Sequence, residues 1–162
     1  MSYTLERIED IANTIHSNIN MNSELVIDVV DVASRLGFSV YTSHFDNDIS
    51  GMVISSNEEK SIYVNQNDIP QRQRFTISHE IGHIILHHQV GEGKFKMVDY
   101  MGANNSYDQK EWEANAFASA LLMPKDKAIS VWNNLYDVDD FANTFKVSKL
   151  AASIRLQNLG LI

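Results

Sequence analysis

Two histidines and a glutamate stand at metal-site spacing in one apolar stretch, "FTISHEIGHIILHH", residues 75–88. His79, Glu80 and His83 form the pattern His-Glu-x-x-His, in which two imidazoles hold zinc and the glutamate acts as a base. On a helix, residues four apart are separated by only about 40° around the axis, so both rings can reach one ion. Glu80 points to one side of that pair, where its carboxylate can contact a metal-bound water without becoming a ligand. We therefore predict Zn²⁺ as the cofactor, His79 and His83 as metal ligands, and Glu80 as the catalytic residue.

The same stretch also has the pattern of an ordinary buried helix, with an apolar stripe formed by Ile77, Ile81, Ile84 and Ile85. The histidines and Glu80, however, fall together within about 100° on a different face of the helical wheel. His87 lies one turn beyond His83, and its interpretation stays open. It is a candidate for a fourth group or a substrate contact, or a polar residue that only supports the ligands.

A catalytic zinc ion normally has three protein ligands, so a third ligand must come from elsewhere in the chain. The helical segment "KEWEANAFASALLMP" offers two glutamates in its first turn. Glu111 shares a face with Asn115 and with alanines that would allow close approach to the histidine helix, whereas Glu113 points almost the opposite way. We therefore predict Glu111 as the third ligand and Asn115 as a residue that orients a ligating imidazole. Glu113 is expected to be a solvated residue of the first helical turn.

Composition limits the function classes. A chain of 162 residues, 44% hydrophobic, is long enough for one core, so we expect one domain over residues 1–162 with a C-terminal helical part from about residue 125. The absence of cysteine excludes thiolate ligands, and neither a signal peptide nor a membrane-spanning run is visible, so we expect a cytoplasmic protein without membrane contact. The net charge of −8 argues against direct binding of nucleic acid.

Periodicity predicts the elements that must position these residues. Two amphipathic helices are expected, one from Leu5 to about Ile19 and one with Ser23 as N-cap and Gly37 as its end. Three β-rich runs, "FSVYT", "SGMVISS" and "KSIYVN", follow and predict a small antiparallel sheet. A long helix then covers 71–88, residues 91–106 resemble a loop, and a further helix begins near residue 107. Either of the last two strands could offer an edge to an extended substrate, or could be a plain hairpin.

Two motifs together are specific enough to suggest a family. "QRFTISHEIGHIILHH" followed by "EWEANAFASALLMP" resembles the ImmA/IrrE family of bacterial and phage metallopeptidase-like proteins. The resemblance implies an α+β, gluzincin-like metallopeptidase fold, mostly helical with a small antiparallel three-stranded sheet. It also implies the site set out above, with Glu111 favoured over Glu113. It extends to "SIYVN" and to the C-terminal segment, but residues 1 to about 50 match only loosely.

The resemblance further implies an activity and a partner. Members of that family typically cleave helix-turn-helix repressors, often on mobile elements, so this chain is expected to be a phage or mobile-element anti-repressor that binds the repressor and not the operator. Glu80 would take a proton from the attacking water and pass it to the leaving amine. For stabilising the oxyanion, the sequence leaves four candidates open: Arg74, His87, Tyr100 and Tyr107.

Two other functions compete with this one. The first is a non-catalytic regulator that keeps the fold and binds a transcription factor by contact alone, although such a protein would have no need of Glu80. The second is a DNA-binding regulator that uses the C-terminal helices, where Phe141, Phe145, Leu150 and Ile154 have helix-turn-helix-like spacing. Few cations and three nearby aspartates disfavour that second function.

Overall fold

The computed structural model describes residues 2–19, 24–46, 49–87, 95–100 (as backbone) and 109–162. Seven helices and four strands occur in this part of the chain. In chain order they are α1 (Leu5–Asn18), α2 (Val29–Arg35), β1 (Ser39–Ser43), β2 (Ile49–Ser55), β3 (Lys60–Asn65), α3 (Pro70–His87), β4 (Phe95–Tyr100), α4 (Gln109–Leu122), α5 (Lys125–Leu135), α6 (Val138–Phe145) and α7 (Lys149–Asn158). The predicted α+β class is confirmed.

The sheet differs from the prediction in strand number and in one pairing. Its order is β1-β3-β2-β4, with β2 antiparallel to both neighbours and β1 parallel to β3. The prediction of three antiparallel strands was therefore wrong. The turn between β2 and β3 fixes that hairpin, but nothing local fixes the direction in which β1 joins the other side of β3. β4 lies within residues 91–106, which the sequence predicts to be a loop because "FKMVDY" carries charges and follows a glycine-containing segment.

The same strand order changes the predicted substrate edge. β2 and β3 are each paired on both sides, so the edges among the described strands are β1 and β4. Neither "SGMVISS" nor "SIYVN" can add a further strand without displacing one of these neighbours.

The helix termini follow from local capping. Thr4 accepts the N–H of Arg7 at the start of α1, which spans almost the predicted range. α2 begins later than predicted, because the Asp28 carboxylate accepts the N–H groups of the next turn. The predicted cap, Ser23, lies outside the described residues. α2 ends just before Gly37, whose φ of 85° is the left-handed conformation that favours glycine.

α3 lies at the centre of the fold. It contacts β2 and β3 on one side and α4 on another, and every residue from Thr76 to His83 is buried. Gly82 allows α4 to come close, because a Cβ atom at that position would lie 3.1 Å from the Ala114 Cα atom. None of the described helices is both long enough and apolar enough to cross a membrane.

The C-terminal helices are tied back to this centre by Arg155. Its guanidinium is 2% exposed, forms a two-point ion pair with Glu9 of α1, and donates to the carbonyl of Met123 at 3.0 Å. Phe141 and Phe145 are buried in the same core. α7 is therefore anchored to both α1 and the end of α4.

Candidate metal centre

The two histidines of the motif turn the same nitrogen toward each other. His79 and His83 are 3% and 2% exposed, and their Nε2 atoms lie 2.9 Å apart. This geometry follows from the four-residue spacing on a regular helix, where successive turns bring the two rings one above the other. The pair is thus set in the protein interior with both Nε2 atoms facing one point.

Glu111, from the first turn of α4, completes a group of three. Its carboxylate oxygens lie 3.2 Å from His79 Nε2 and 3.0 Å from His83 Nε2. Hydrogen bonding to His79 and then to His83 holds the pKa of the Glu111 carboxyl well below its usual range, against the opposing effect of burial. The side chain is 42% exposed, so the group is open to solvent on its carboxylate side.

These three side chains fit a zinc ion. Their candidate ligand atoms all lie within 4.8 Å of one another, and two nitrogens with one carboxylate are a donor set that zinc accepts. Donors about 2 Å from a tetrahedral ion stand roughly 3.3 Å apart, so slight widening of the present distances would admit the ion. His79, His83 and Glu111 could therefore hold a metal with one position left for water.

Asn115 contacts the group from one turn further along α4. Its Oδ1 atom lies 2.9 Å from His79 Nδ1. Because a carbonyl oxygen can only accept, Nδ1 carries a proton, so Nε2 is the nitrogen of His79 that could bind a metal. The structure thus places Asn115 where it selects the metal-binding tautomer of His79.

We call His79, His83 and Glu111 the triad. Glu80 is completely buried beside it, under strand β2. Gly51 of β2 makes room for it, because a Cβ atom there would lie 3.3 Å from Glu80 Oε1 and 2.4 Å from Thr76 Cγ2. The carboxylate is therefore enclosed between α3 and the sheet. A carboxylate in such a low-dielectric position is suited to exchange protons with a water at the metal.

The prediction of a solvated Glu113 was wrong. Its side chain is 1% exposed, and Oε1 accepts the Tyr3 backbone N–H at 2.7 Å and the Gln109 amide at 2.9 Å. The face of α4 opposite Glu111 is covered by the start of α1, which a reading of α4 alone could not reveal. Glu113 thus joins two elements that are 110 residues apart in sequence.

His87 lies outside the three-residue group. Its Nε2–H donates to the Lys110 carbonyl at 3.1 Å, and Glu113 Oε2 lies 3.5 Å from the same nitrogen. Burial and the neighbouring His83 lower the pKa of His87, while Glu113 opposes them. His87 thus joins the end of α3 to the start of α4, and its part in the site stays a prediction.

Among the described residues, none of the other oxyanion candidates lies at the triad. Arg74 donates to the carbonyls of Ile27 at 2.7 Å and Lys146 at 3.3 Å, so it ties α3 to the segments before α2 and after α6. The side chain of Tyr100 and all of Tyr107 lie outside the part of the chain that the structure describes. The residues that sequence reasoning missed are Gly51 and Gly82, for which a glycine inside a strand or a helix was the available signal.

Comparison with known proteins gives three similarities. A family model described as peptidase M78, IrrE N-terminal-like domain, matches residues 33–157, which is more than three quarters of the chain. "Uncharacterized immunity region protein 2" of Bacillus phage phi105 is 31% identical over 113 residues, 69% of this chain and 68% of that protein.

Among solved structures, a Mycobacterium tuberculosis transcriptional regulator superposes with a TM-score of 0.70 at 18% identity. The alignment covers 93% of this chain but only 46% of that protein. At this level of identity the likeness concerns the fold alone.

Proposed function

Because this chain belongs to the peptidase M78 family of IrrE N-terminal-like domains, and so carries a metallopeptidase-type domain, we propose that it is a zinc-dependent endopeptidase. The observation that supports this most directly is the convergence of His79, His83 and Glu111 next to Glu80. Three ligand atoms could hold the ion, and the residue beside His79 supplies a carboxylate that is not one of them. A purely structural metal site would normally be closed by four protein ligands and would need no such neighbour.

The division of labour follows from these positions. Zinc, when bound, would supply a Lewis acid that polarises the scissile carbonyl and acidifies a water toward a pKa of about 7. Glu80 takes the proton from the attacking water and then delivers it to the leaving amine. Asn115 holds His79 in the tautomer that binds metal, and the exposed side of Glu111 leaves an approach for the substrate.

For the substrate we propose a helix-turn-helix transcriptional repressor, cleaved in the cytoplasm, which makes this chain an anti-repressor. The relative from phage phi105 carries "immunity region" in its name, and the structural neighbour is titled a transcriptional regulator. The second name concerns control of transcription, and the two together support this choice. An acidic chain suits a partner that must carry cationic surface in order to bind DNA.

The test is cleavage of a purified helix-turn-helix repressor encoded beside the gene for this chain. Wild-type protein loaded with zinc should cut it at a defined bond, and a chelator should stop the reaction until zinc is restored. Glu80→Gln should retain zinc and lose about 10²- to 10⁴-fold in rate. Glu58→Gln, in the exposed turn between β2 and β3, is the matched control and should cut normally.

The same assay distinguishes the two competing functions. Zinc-independent binding of the repressor without cleavage would identify a non-catalytic regulator and overturn the peptidase proposal. Salt-sensitive retention of the chain on DNA, without repressor present, would instead point to a DNA-binding role for the C-terminal helices. Cleavage by Glu80→Gln at the wild-type rate would contradict the mechanism.

A further inference from the structure

A cavity of about 740 Å³ lies beside the metal centre, between the N-terminal half of α3, α4 and α7. We call it the α4–α7 groove. Its volume is in the range of pockets that bind small molecules or anchor side chains. The large apolar side chains of its lining are those of Leu5, Ile69, Phe75, Trp112, Leu150 and Ile154. Neither Glu80 nor any member of the triad is among the described residues that line it.

The rim of the groove is unusually apolar for a surface. Leu150 is 71% exposed, Ile69 63%, Ile154 45% and Trp112 40%. Clustered exposed residues of this kind mark sites of contact with another macromolecule, and tryptophan in particular is enriched where binding energy concentrates. A small metabolite would leave most of this rim in water, so the exposure favours a protein segment as the occupant.

Two polar residues of the lining carry an unpaired buried atom. Asp68 and Ser119 line the groove, and Asp68 Oδ2 and Ser119 Oγ are buried without a hydrogen-bond partner within the described part of the chain. Ser119 as a whole is only 8% exposed. A buried carboxylate oxygen is best satisfied by a cationic N–H donor. The groove therefore combines an apolar surface with a carboxylate that a lysine or arginine could pair with. Its lining also holds one cation, Arg72, which donates to Ser50 Oγ at 3.0 Å.

We propose that the α4–α7 groove docks an amphipathic, cationic segment of the repressor, with its apolar side chains among Trp112, Leu150 and Ile154 and a lysine or arginine at Asp68. This inference rests on the proposed function, because it names how that substrate is recognised. Charge complementarity supports the choice of occupant: the chain carries a net charge of −8, and a DNA-binding repressor must present positive charge.

Asn115 connects the groove to the candidate metal site. Asn115 lines the groove and accepts the hydrogen bond from His79 Nδ1. A bound segment therefore contacts the residue that holds a ligand, at a position separate from the scissile bond. Recognition would thus depend on sequence in the repressor away from the cut, and its loss would appear mainly in KM.

The test measures binding apart from cleavage, in the full-length zinc-loaded Glu80→Gln variant labelled with 5-fluorotryptophan. Trp112 lines the groove, whereas Trp132 is 7% exposed in the core and serves as an internal control. Adding the purified repressor should shift the Trp112 ¹⁹F resonance and leave that of Trp132 in place. Leu150→Glu should weaken binding at least tenfold, and Asp68→Asn should weaken it severalfold and reduce its salt dependence.

Tyr136→Glu is the matched control, because Tyr136 is as exposed as Leu150, at 71%, but does not line the groove. It should bind as the parent does. Thermal melting of each variant checks that the fold is kept. The inference is overturned if the repressor leaves the Trp112 resonance unchanged, or if Leu150→Glu and Asp68→Asn bind normally. It is also overturned if the Trp112 resonance moves with protein concentration alone, which would assign the groove to a second copy.

These outcomes are distinguishable from failure of the proposed function. Normal cleavage with unchanged KM in Leu150→Glu and Asp68→Asn would remove the docking site and leave the peptidase intact. If the zinc-loaded wild type binds the repressor through the groove but does not cleave it, the docking site is supported and the peptidase proposal is overturned.

Discussion

Asn115 Oδ1 lies 2.9 Å from His79 Nδ1, and this contact joins α4 to the ligand side of α3 a second time, one turn beyond Glu111. The amide fixes which imidazole nitrogen is protonated. Without it, His79 would lose the acceptor that favours a proton on Nδ1 over the tautomer with a proton on Nε2. The orientation of His79 therefore depends on Asn115 as well as on the contacts among the three residues of the triad.

Replacing Asn115 by Ala should weaken zinc binding by about 10- to 100-fold, because a ligating imidazole loses its orienting partner. Asn115→Asp keeps an acceptor oxygen and should restore most of the affinity. Zinc affinity is measured by competition with a chromophoric chelator. Asn134→Ala, on the exposed side of α5, is the control. Equal affinity in Asn115→Ala and wild type would show that the hydrogen bond does not position His79.

The two glutamates of α4 should separate metal binding from stability. Glu111→Ala removes a predicted ligand and should abolish both stoichiometric zinc and the rise in Tm that zinc produces. Glu113→Ala should keep zinc but lower the free energy of unfolding by about 1–3 kcal/mol, since the partly buried hydrogen bonds from the Tyr3 N–H and the Gln109 amide lose their acceptor. Metal analysis and urea titration check the pair. The reverse assignment would transfer the ligand role to Glu113.

The residues of the triad could be anticipated from sequence because their arrangement is local. The spacing of His79 and His83 is a property of one helix, and Glu111 was favoured by the small residues on its own face of α4. The environment of Glu113 depends instead on the chain start folding across α4, a contact that no window of sequence contains. The sequence of α4 alone therefore predicts a solvated Glu113.

The sheet shows the same limit. The hairpin of β2 and β3 is set by a short turn and was predictable, but the parallel pairing of β1 with β3 is a choice made by tertiary packing. β4 pairs with β2 although its sequence carries Lys96 and Asp99. Charged residues at an edge strand are common because they discourage further pairing. Here they are the reason why the sequence predicts a loop at β4.

Gly51 should be intolerant of a side chain. An added Cβ would lie 2.4 Å from Thr76 Cγ2 and 3.3 Å from Glu80 Oε1. Gly51→Ala should therefore cost about 1–3 kcal/mol of stability and lower kcat by displacing Glu80. Thr76→Ser removes the crowding methyl group, so the double variant should recover part of both losses. Val53→Ala, in the same strand, controls for destabilisation alone and should leave kcat nearly unchanged.

His16 should make the fold sensitive to mild acid. The side chain is 6% exposed, its Nε2 atom has no hydrogen-bond partner among the described residues, and burial followed by repulsion from Lys127 lowers its pKa. The unfolded chain, with a histidine pKa near 6.5, then binds more protons than the folded one. The contribution of His16 to stability is thus complete above about pH 6.5 and is lost as pH falls from there toward the folded pKa, with a slope of at most about 1.4 kcal/mol per pH unit.

His16→Gln removes this proton uptake. Its free energy of unfolding, measured in urea between about pH 5 and pH 8, should fall less steeply below pH 6.5 than that of the wild type. His44→Gln replaces an exposed histidine and is the matched control for removing an imidazole. Other titrating groups, His87 among them, act equally in all three proteins and cancel in the comparison. Parallel pH profiles for wild type and His16→Gln would show that His16 is protonated equally in the folded and unfolded chains.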